Sequence, residues 1–165
     1  MGFLPQDFEV PASLETGAFR LRPITVHDVV KDYVAVMANR EHLWSLFGTA
    51  WGWPADDLTL EQDLIDLGWH QKEFQMRSSF DYAVMSPDEK RLLACVYVDP
   101  PEKAGYDAEV HYWARRDGPE HGLEESLGEA TRRWISEAWP FERVAYPGRD
   151  ISWEDYDALP DHGER

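Results

Sequence analysis

The sequence predicts an α/β (α+β) domain on a mixed, largely antiparallel sheet of about five strands flanked by helices, and three stretches carry the prediction. From Asp107 to Ala114 the chain alternates, with Ala108, Val110, Tyr112 and Ala114 on one side and Asp107, Glu109, His111 and Trp113 on the other, the period of two of a pleated strand. A glycine-containing turn over residues 115–122 follows at once, and then Leu123, Leu127, Ala130, Trp134, Ile135 and Ala138 recur as the apolar stripe of a helix with one buried face. Leu92 to Val98 is apolar almost without interruption, the pattern of a strand covered on both faces.

The first 17 residues contain Pro5, Pro11 and Gly17 with little periodicity and read as an extended arm. Phe19 to Ile24 alternates and gives the first strand. Thr25 then caps a helix, with Asp28 in the reciprocal position and Val26, Val29, Val30, Tyr33, Val34 and Met37 as its apolar face. Leu43 to Pro54 is aromatic-rich and broken by two glycines and a proline, so no single long regular element is expected there. Thr59 with Gln62 resembles a capping box and opens a helix through Leu60, Leu64 and Leu67 to about Phe74 or Met76. A strand at Phe80 to Met85, a turn at residues 86–89 and the strand Arg91 to Val98 come next. After the strand, turn and helix described first, Arg143 to Tyr146 makes a short strand closed by Pro147-Gly148. The body of the domain thus covers residues 18–148 in the order β-α-α-β-β-β-α-β. Residues 149–165 read as an acidic tail, with a short helix at Trp153 to Leu159 and a disordered end.

At 165 residues the chain forms one domain, long enough to bury roughly 70% of its unfolded surface. A formal net charge of −16 opposes binding to nucleic acid or to anionic membranes, because both would be repelled at long range. The same charge attracts a cationic ligand such as an amine. No apolar run approaches the roughly 20 residues of a membrane-spanning helix, and the N-terminus lacks a basic region followed by an apolar one, so a cytoplasmic protein is expected. The single cysteine, Cys95, lies inside the apolar strand and reads as an inert buried thiol, with neither a disulfide nor a cysteine zinc cluster available to it.

Several residues offer chemistry. Glu109 and His111 share one strand face about 6 to 7 Å apart, and either would accept a proton; the alternative is that they sit on a solvated face or satisfy backbone groups. Trp44, Phe47, Trp51 and Trp53, with Trp69 later, would wall a pocket that stacks on an organic cation, or else pin an irregular loop. A helix N-terminus directly after a strand and turn is a ready anion site, since its first N–H groups lack internal partners. His42, His70 and His121 show no ligand spacing, so no metal is expected, and no serine stands in a strand-to-helix elbow.

The order of elements, with Phe19-Arg20-Leu21-Arg22-Pro23-Ile24 opening into a capped helix and Ala108-Glu109-Val110-His111-Tyr112-Trp113 opening into the main helix, resembles the GNAT superfamily of N-acetyltransferases over about residues 18 to 146. The resemblance implies acetyl-CoA held where two parallel strands splay apart, here between the strand ending near Ala114 and the strand Arg143 to Tyr146. It implies the cofactor's pyrophosphate at Arg115, Arg116, His121, Gly122, Leu123 and Glu124. Aligned on Gly122, the family's pattern Gln/Arg-x-x-Gly-x-Gly/Ala meets Pro119 at its first position and Glu124 at its last, so one of three positions matches. The resemblance further implies Glu109 as general base ahead of His111, because the family often carries a carboxylate on this strand. It implies acceptor contacts from Trp44, Phe47, Trp51 and Trp53, and Tyr156 as the proton donor to the departing thiolate. The chain is shorter than the family pattern after Tyr146, and the sheet edge left by the missing strands would invite pairing of two copies. Two functions follow: an acetyl-CoA-dependent N-acyltransferase acting on a small amine or amino group, or a catalytically silent module of the same fold that binds a small ligand or a protein partner.

Overall fold

Leu14–Glu15 (β1), Arg20–Pro23 (β2), Phe80–Met85 (β3), Leu92–Asp99 (β4), Ala108–Ala114 (β5) and Val144–Ala145 (β6) form one sheet in chain order. The computed structural model describes residues 2–163; residue 1 of the arm and residues 164 and 165 of the acidic tail lie outside the described residues. Every neighbouring pair is antiparallel except β5 and β6, which run parallel and pair only at Ala108 with Val144 and Glu109 with Ala145. Among the described residues the sheet has six strands rather than about five, because Leu14 and Glu15 of the N-terminal arm pair with Leu21 and Arg20. The same arm places Leu4 in the core.

Among the described residues, five α-helices complete the fold: Val29–Ala38 (α1), Arg40–Trp51 (α2), Leu60–Met76 (α3), Leu123–Ala138 (α4) and Trp153–Asp157 (α5). Ahead of α1, the Thr25 N–H donates to Asp28 Oδ2 at 2.9 Å, and Arg22 grips the same carboxylate through both Nη atoms at 2.9 and 2.8 Å. At the start of α3, Thr59 Oγ1 accepts the Gln62 N–H at 3.1 Å, the capping bond that the sequence predicts.

Two expectations are corrected. The buried side of α1 is Asp32, Ala35 and Val36, while Val30 and Val34 are 61% and 53% exposed. Asp32 is turned inward, where its carboxyl accepts from Cys95 Sγ at 3.7 Å, a polar contact invisible to an apolar stripe. The stretch expected to lack long regular structure is helical from Arg40 to Trp51 and breaks only at Gly52. Gly48 sits inside this helix because the Trp44 indole lies directly against it; a Cβ there would come within 2.6 Å of the ring.

The sheet separates two cores. On one face Tyr82, Val96, Val110, Tyr112 and Ala114 pack with Leu127, Trp134 and Ile135 of α4, and each fully buried Leu or Ile of that helix contributes roughly 1.5–3 kcal/mol. On the other face Ala83, Cys95 and Trp113 pack under α1, α2 and α3 through Ala35, Val36, Leu43, Phe47 and Leu67. The expectation that β4 is covered on both sides follows from this arrangement. Among the described residues no helix is long and apolar enough to cross a membrane.

Candidate functional site

The register of the three central strands builds a polar row on the face beneath α1 to α3. Tyr97 lies opposite both Asp81 and His111, Asp99 opposite Glu109, and Cys95 opposite Ala83 and Trp113. Since side chains alternate along each strand, Asp81, Tyr97, Asp99, Glu109 and His111 all point the same way. Above this row opens a cavity of about 410 Å³, walled by Trp51, Trp53, Trp69 and Tyr97 and lined by the carboxyl groups of Asp32, Asp63, Asp66, Glu73, Asp81 and Asp99. Among the described residues, His70 is the one cationic group in its lining. A cavity of this size fits a small organic ligand.

The charges are unevenly balanced. His70 Nδ1 stands 2.7 Å from Asp81 Oδ2 and 3.7 Å from Glu73 Oε1; burial pushes the imidazole down, but the bond and charge of Asp81 outweigh it and carry its pKa up to about 9. Burial first, and the Asp63 carboxyl next to it, hold Asp32 well above the usual carboxylate range, and Asp63 is raised by burial as well. Asp99 is pushed up to about 8 by burial and by the charge of Asp81. Asp66, Glu73 and Asp81 face the single imidazolium, and the cavity favours a cation.

Beside the cavity, the three residues expected to carry proton chemistry come together. The Tyr156 hydroxyl, brought in by α5, donates to Glu109 Oε2 at 2.5 Å, and Glu109 Oε1 lies 3.4 Å from His111 Nε2. Burial, then the hydrogen bond to Glu109, raise the Tyr156 phenol well above its ordinary value. His111 is 3% exposed, stacked parallel on Trp153 with centroids 5.4 Å apart and edge-on to Trp51 at 4.8 Å. Ser152 caps α5 by accepting the Asp155 N–H at 3.0 Å, and the Trp153 Nε1–H donates to the Leu46 carbonyl at 3.0 Å. These bonds fix the short helix over the end of β5.

Where β5 and β6 part beyond Glu109, the chain fills the gap itself. Arg149 Nη2 donates to the Tyr112 carbonyl at 2.7 Å, and its Nη1 lies 3.3 Å from Glu124 Oε2. Glu124, in the first turn of α4, accepts the Ala114 N–H at 3.1 Å and meets His42 Nε2 at 2.7 Å. Burial would raise this carboxyl, yet the bonds from His42 and Ala114 and the charge of Arg149 hold it at about 2. A carboxylate therefore sits among the donors at this helix N-terminus.

Of the residues expected to face a pyrophosphate, Gly122 precedes α4 with φ +65°, a conformation that suits glycine, and Leu123 is buried in the core. Arg116 and His121 are exposed, Arg116 Nη2 lying 3.6 Å from Glu124. Arg115 is turned inward, paired with Asp117 at 2.8 Å and donating to the Leu92 carbonyl at 3.0 Å. Among the aromatics, Trp51 and Trp53 line the cavity with Trp69; Phe47 stacks under Trp51 at 4.4 Å, and Trp44 lies outside, over Gly48. The sequence reading missed the acids. Asp63, Asp66, His70 and Glu73 recur at spacings of three and four along α3, a polar stripe on one helix face that was available as a signal.

No protein-family model matches the chain, and no curated protein matches its sequence. Solved structures do match its fold. The ribosomal-protein-S5-alanine acetyltransferase from Vibrio fischeri superposes with a TM-score of 0.62 at 19% identity, covering 88% of this chain and 80% of its own. RimL, a ribosomal L7/L12 α-N-protein acetyltransferase, gives 0.61 at 15% over 87% and 75%. The microcin C7 self-immunity acetyltransferase MccE, solved with acetyl-CoA and AMP, gives 0.62 at 12% over 82% and 72%. With its antiparallel strands, its one parallel pair parting beyond Glu109, and its main helix springing from that parting, the chain has the fold of the GNAT acetyltransferases.

Proposed function

We propose that the protein is an acetyl-CoA-dependent N-acyltransferase whose acceptor is an amine held in the acidic, tryptophan-walled cavity. The observation that carries the reading is the position of that cavity: Asp99 lines it, and its carboxyl group stands within 4.8 Å of Glu109 and His111, next to the parting of β5 and β6. An alkylammonium ion would be drawn in by the carboxylates and stacked on the indoles. To attack a thioester it must first lose a proton, and Glu109, bonded to Tyr156, would take it directly or through Asp99. The aliphatic part of the acceptor would lie between Trp51, Trp53 and Trp69. Two of the structural neighbours are named for ribosomal proteins, so the amino group of a polypeptide belongs to the acceptor class alongside a free small amine.

A specific observation favours a second reading, a silent amine-binding module. Glu124 and Arg149 bond across the strand parting, where the family resemblance would put a cofactor's phosphates, and a fixed carboxylate repels a diphosphate. Calorimetric titration with acetyl-CoA separates the two. Micromolar binding, followed by acetylation of an amine that falls at least about 100-fold in Glu109→Gln with unchanged folding, supports the transferase. No heat, and no shift in melting temperature at millimolar ligand, moves the assignment to the silent module.

A further inference from the structure

We propose that Asp99, Glu109 and His111 form a binding site for one first-row divalent cation of the zinc type. One ligand atom from each lies within 4.8 Å of the other two. His111 is 3% exposed, yet among the described residues neither of its ring nitrogens has a hydrogen-bond partner, and a buried polar group left without a partner is costly. Its Nε2 lies 3.4 Å from Glu109 Oε1. That is the spacing of two ligands on a tetrahedral ion with bonds of about 2.1 Å, for which ligand atoms stand roughly 3.4 Å apart. The Asp99 carboxyl needs to close by roughly 1.4 Å at most to complete the set, a change within reach of a side-chain torsion.

The surroundings have the build of a metal shell. Ser79 Oγ donates to Asp99 Oδ1 and Tyr156 donates to Glu109 Oε2. Each carboxylate is thus oriented by a hydrogen bond on one oxygen while the other stays available, the outer support that ligating carboxylates need. Trp51 and Trp153 clamp the imidazole plane. An ion would reach the site through the cavity, whose Asp66, Glu73 and Asp81 attract cations. One nitrogen and two carboxylates suit zinc or cobalt; calcium would want six to eight oxygens. The ion would occupy Glu109, so it would compete with the proton that acyl transfer moves there.

The test is calorimetric titration of the chelator-treated full chain with Zn²⁺, and of His111→Phe and Asp99→Asn, with Co²⁺ as a spectroscopic stand-in. Expected are one Zn²⁺ per chain at micromolar or tighter affinity, and visible Co²⁺ absorption bands of a low-coordinate site. Each variant should weaken binding by at least about tenfold, and Tyr156→Phe by about 10-fold or more through loss of its support to Glu109. Absence of binding at Zn²⁺ concentrations on the order of 100 μM overturns the proposal. So does binding of unchanged affinity in both ligand variants, which would put the ion on the acidic surface. Should His111→Phe fail to fold by circular dichroism, Asp99→Asn, a near-isosteric change, decides alone. Neither acetyl-CoA nor an amine enters these titrations, so their failure leaves the transferase reading untouched.

Discussion

Replacing Glu124 by alanine is the most informative single change, because the two consequences oppose each other. The carboxyl is held at about 2 against an ordinary 4.5, a difference whose ceiling is roughly 3 kcal/mol at neutral pH. The side chain keeps some contact with solvent and its ion pairs are screened, so a loss of about 2 kcal/mol is expected, a fall in melting temperature of about 4–8 °C for a domain of this size. The sign in acid is fixed: a lowered folded-state value stabilises above the unfolded value near 4.5, and that contribution disappears as pH falls from 4.5 to about 2. Glu124→Ala should therefore lack the part of the acid-destabilisation slope seen in the parent over that window. At the same time the substitution frees the Ala114 N–H, His42 and Arg149 and removes a negative charge from the helix N-terminus. A unit charge 4 Å from a phosphate costs about 4 kcal/mol at an effective dielectric of 20. The neighbouring cations and solvent screen most of it, leaving an expected gain in acetyl-CoA affinity on the order of tenfold under the transferase reading. Thermal melts between pH 2 and 7 and calorimetry with acetyl-CoA read both effects. A variant that melts at the parent's temperature throughout that pH range would refute the pairing argument.

Three further outcomes are expected. His70 has a folded-state value of about 9, above its ordinary 6.5, so its pairing with Asp81 stabilises fully below pH 6.5 and is lost as pH rises to about 9; urea denaturation should show a steeper decline over that interval for the parent than for His70→Gln, and equal slopes would contradict the pair. Asp66→Asn removes one of the charges facing His70 in the cavity and should weaken binding of an alkylamine by roughly three- to tenfold in calorimetry, with unchanged affinity counting against the cavity as the amine site. Trp134→Ala, which empties a 6%-exposed position beside Tyr82 and Trp139, should cost about 3–5 kcal/mol in equilibrium unfolding; a loss under 1 kcal/mol would mean that α4 packs differently on the sheet.

Much of the fold was legible because it rests on local periodicity. The alternation through Ala108–Ala114 and the stripe from Leu123 to Ile135 each reflect one element against one apolar surface, and Thr59 with Gln62 is a capping bond between residues three apart. Trp51 and Trp53 were found as cavity walls for a similar reason: an aromatic cluster stands out in the sequence. Trp44 does not line the cavity, since the same cluster does not reveal which side of α2 an indole takes, and a glycine that marks a close approach at residue 48 looks like a helix breaker until its neighbour is seen.

The local sequence dictates the layered α/β order and the presence of Glu109 and His111 on a common strand face, since each depends on neighbours within a few residues, whereas the parallel pairing of Ala108 with Val144 and Glu109 with Ala145 joins distant parts of the chain. Folding in three dimensions assembles the site. It brought Asp32 and Asp63 from two helices, Asp81 and Asp99 from two strands and His70 from α3 around one cavity, and it laid Tyr156 and Trp153 from the C-terminal segment on Glu109 and His111. It also closed Arg149 and Glu124 over the strand parting. The elements that carry these groups lie tens of residues apart in the chain, and apart from the polar stripe of α3 an isolated charge carries no periodic signal. Their meeting is set by strand register and helix packing, where the burial that shifts their protonation also arises.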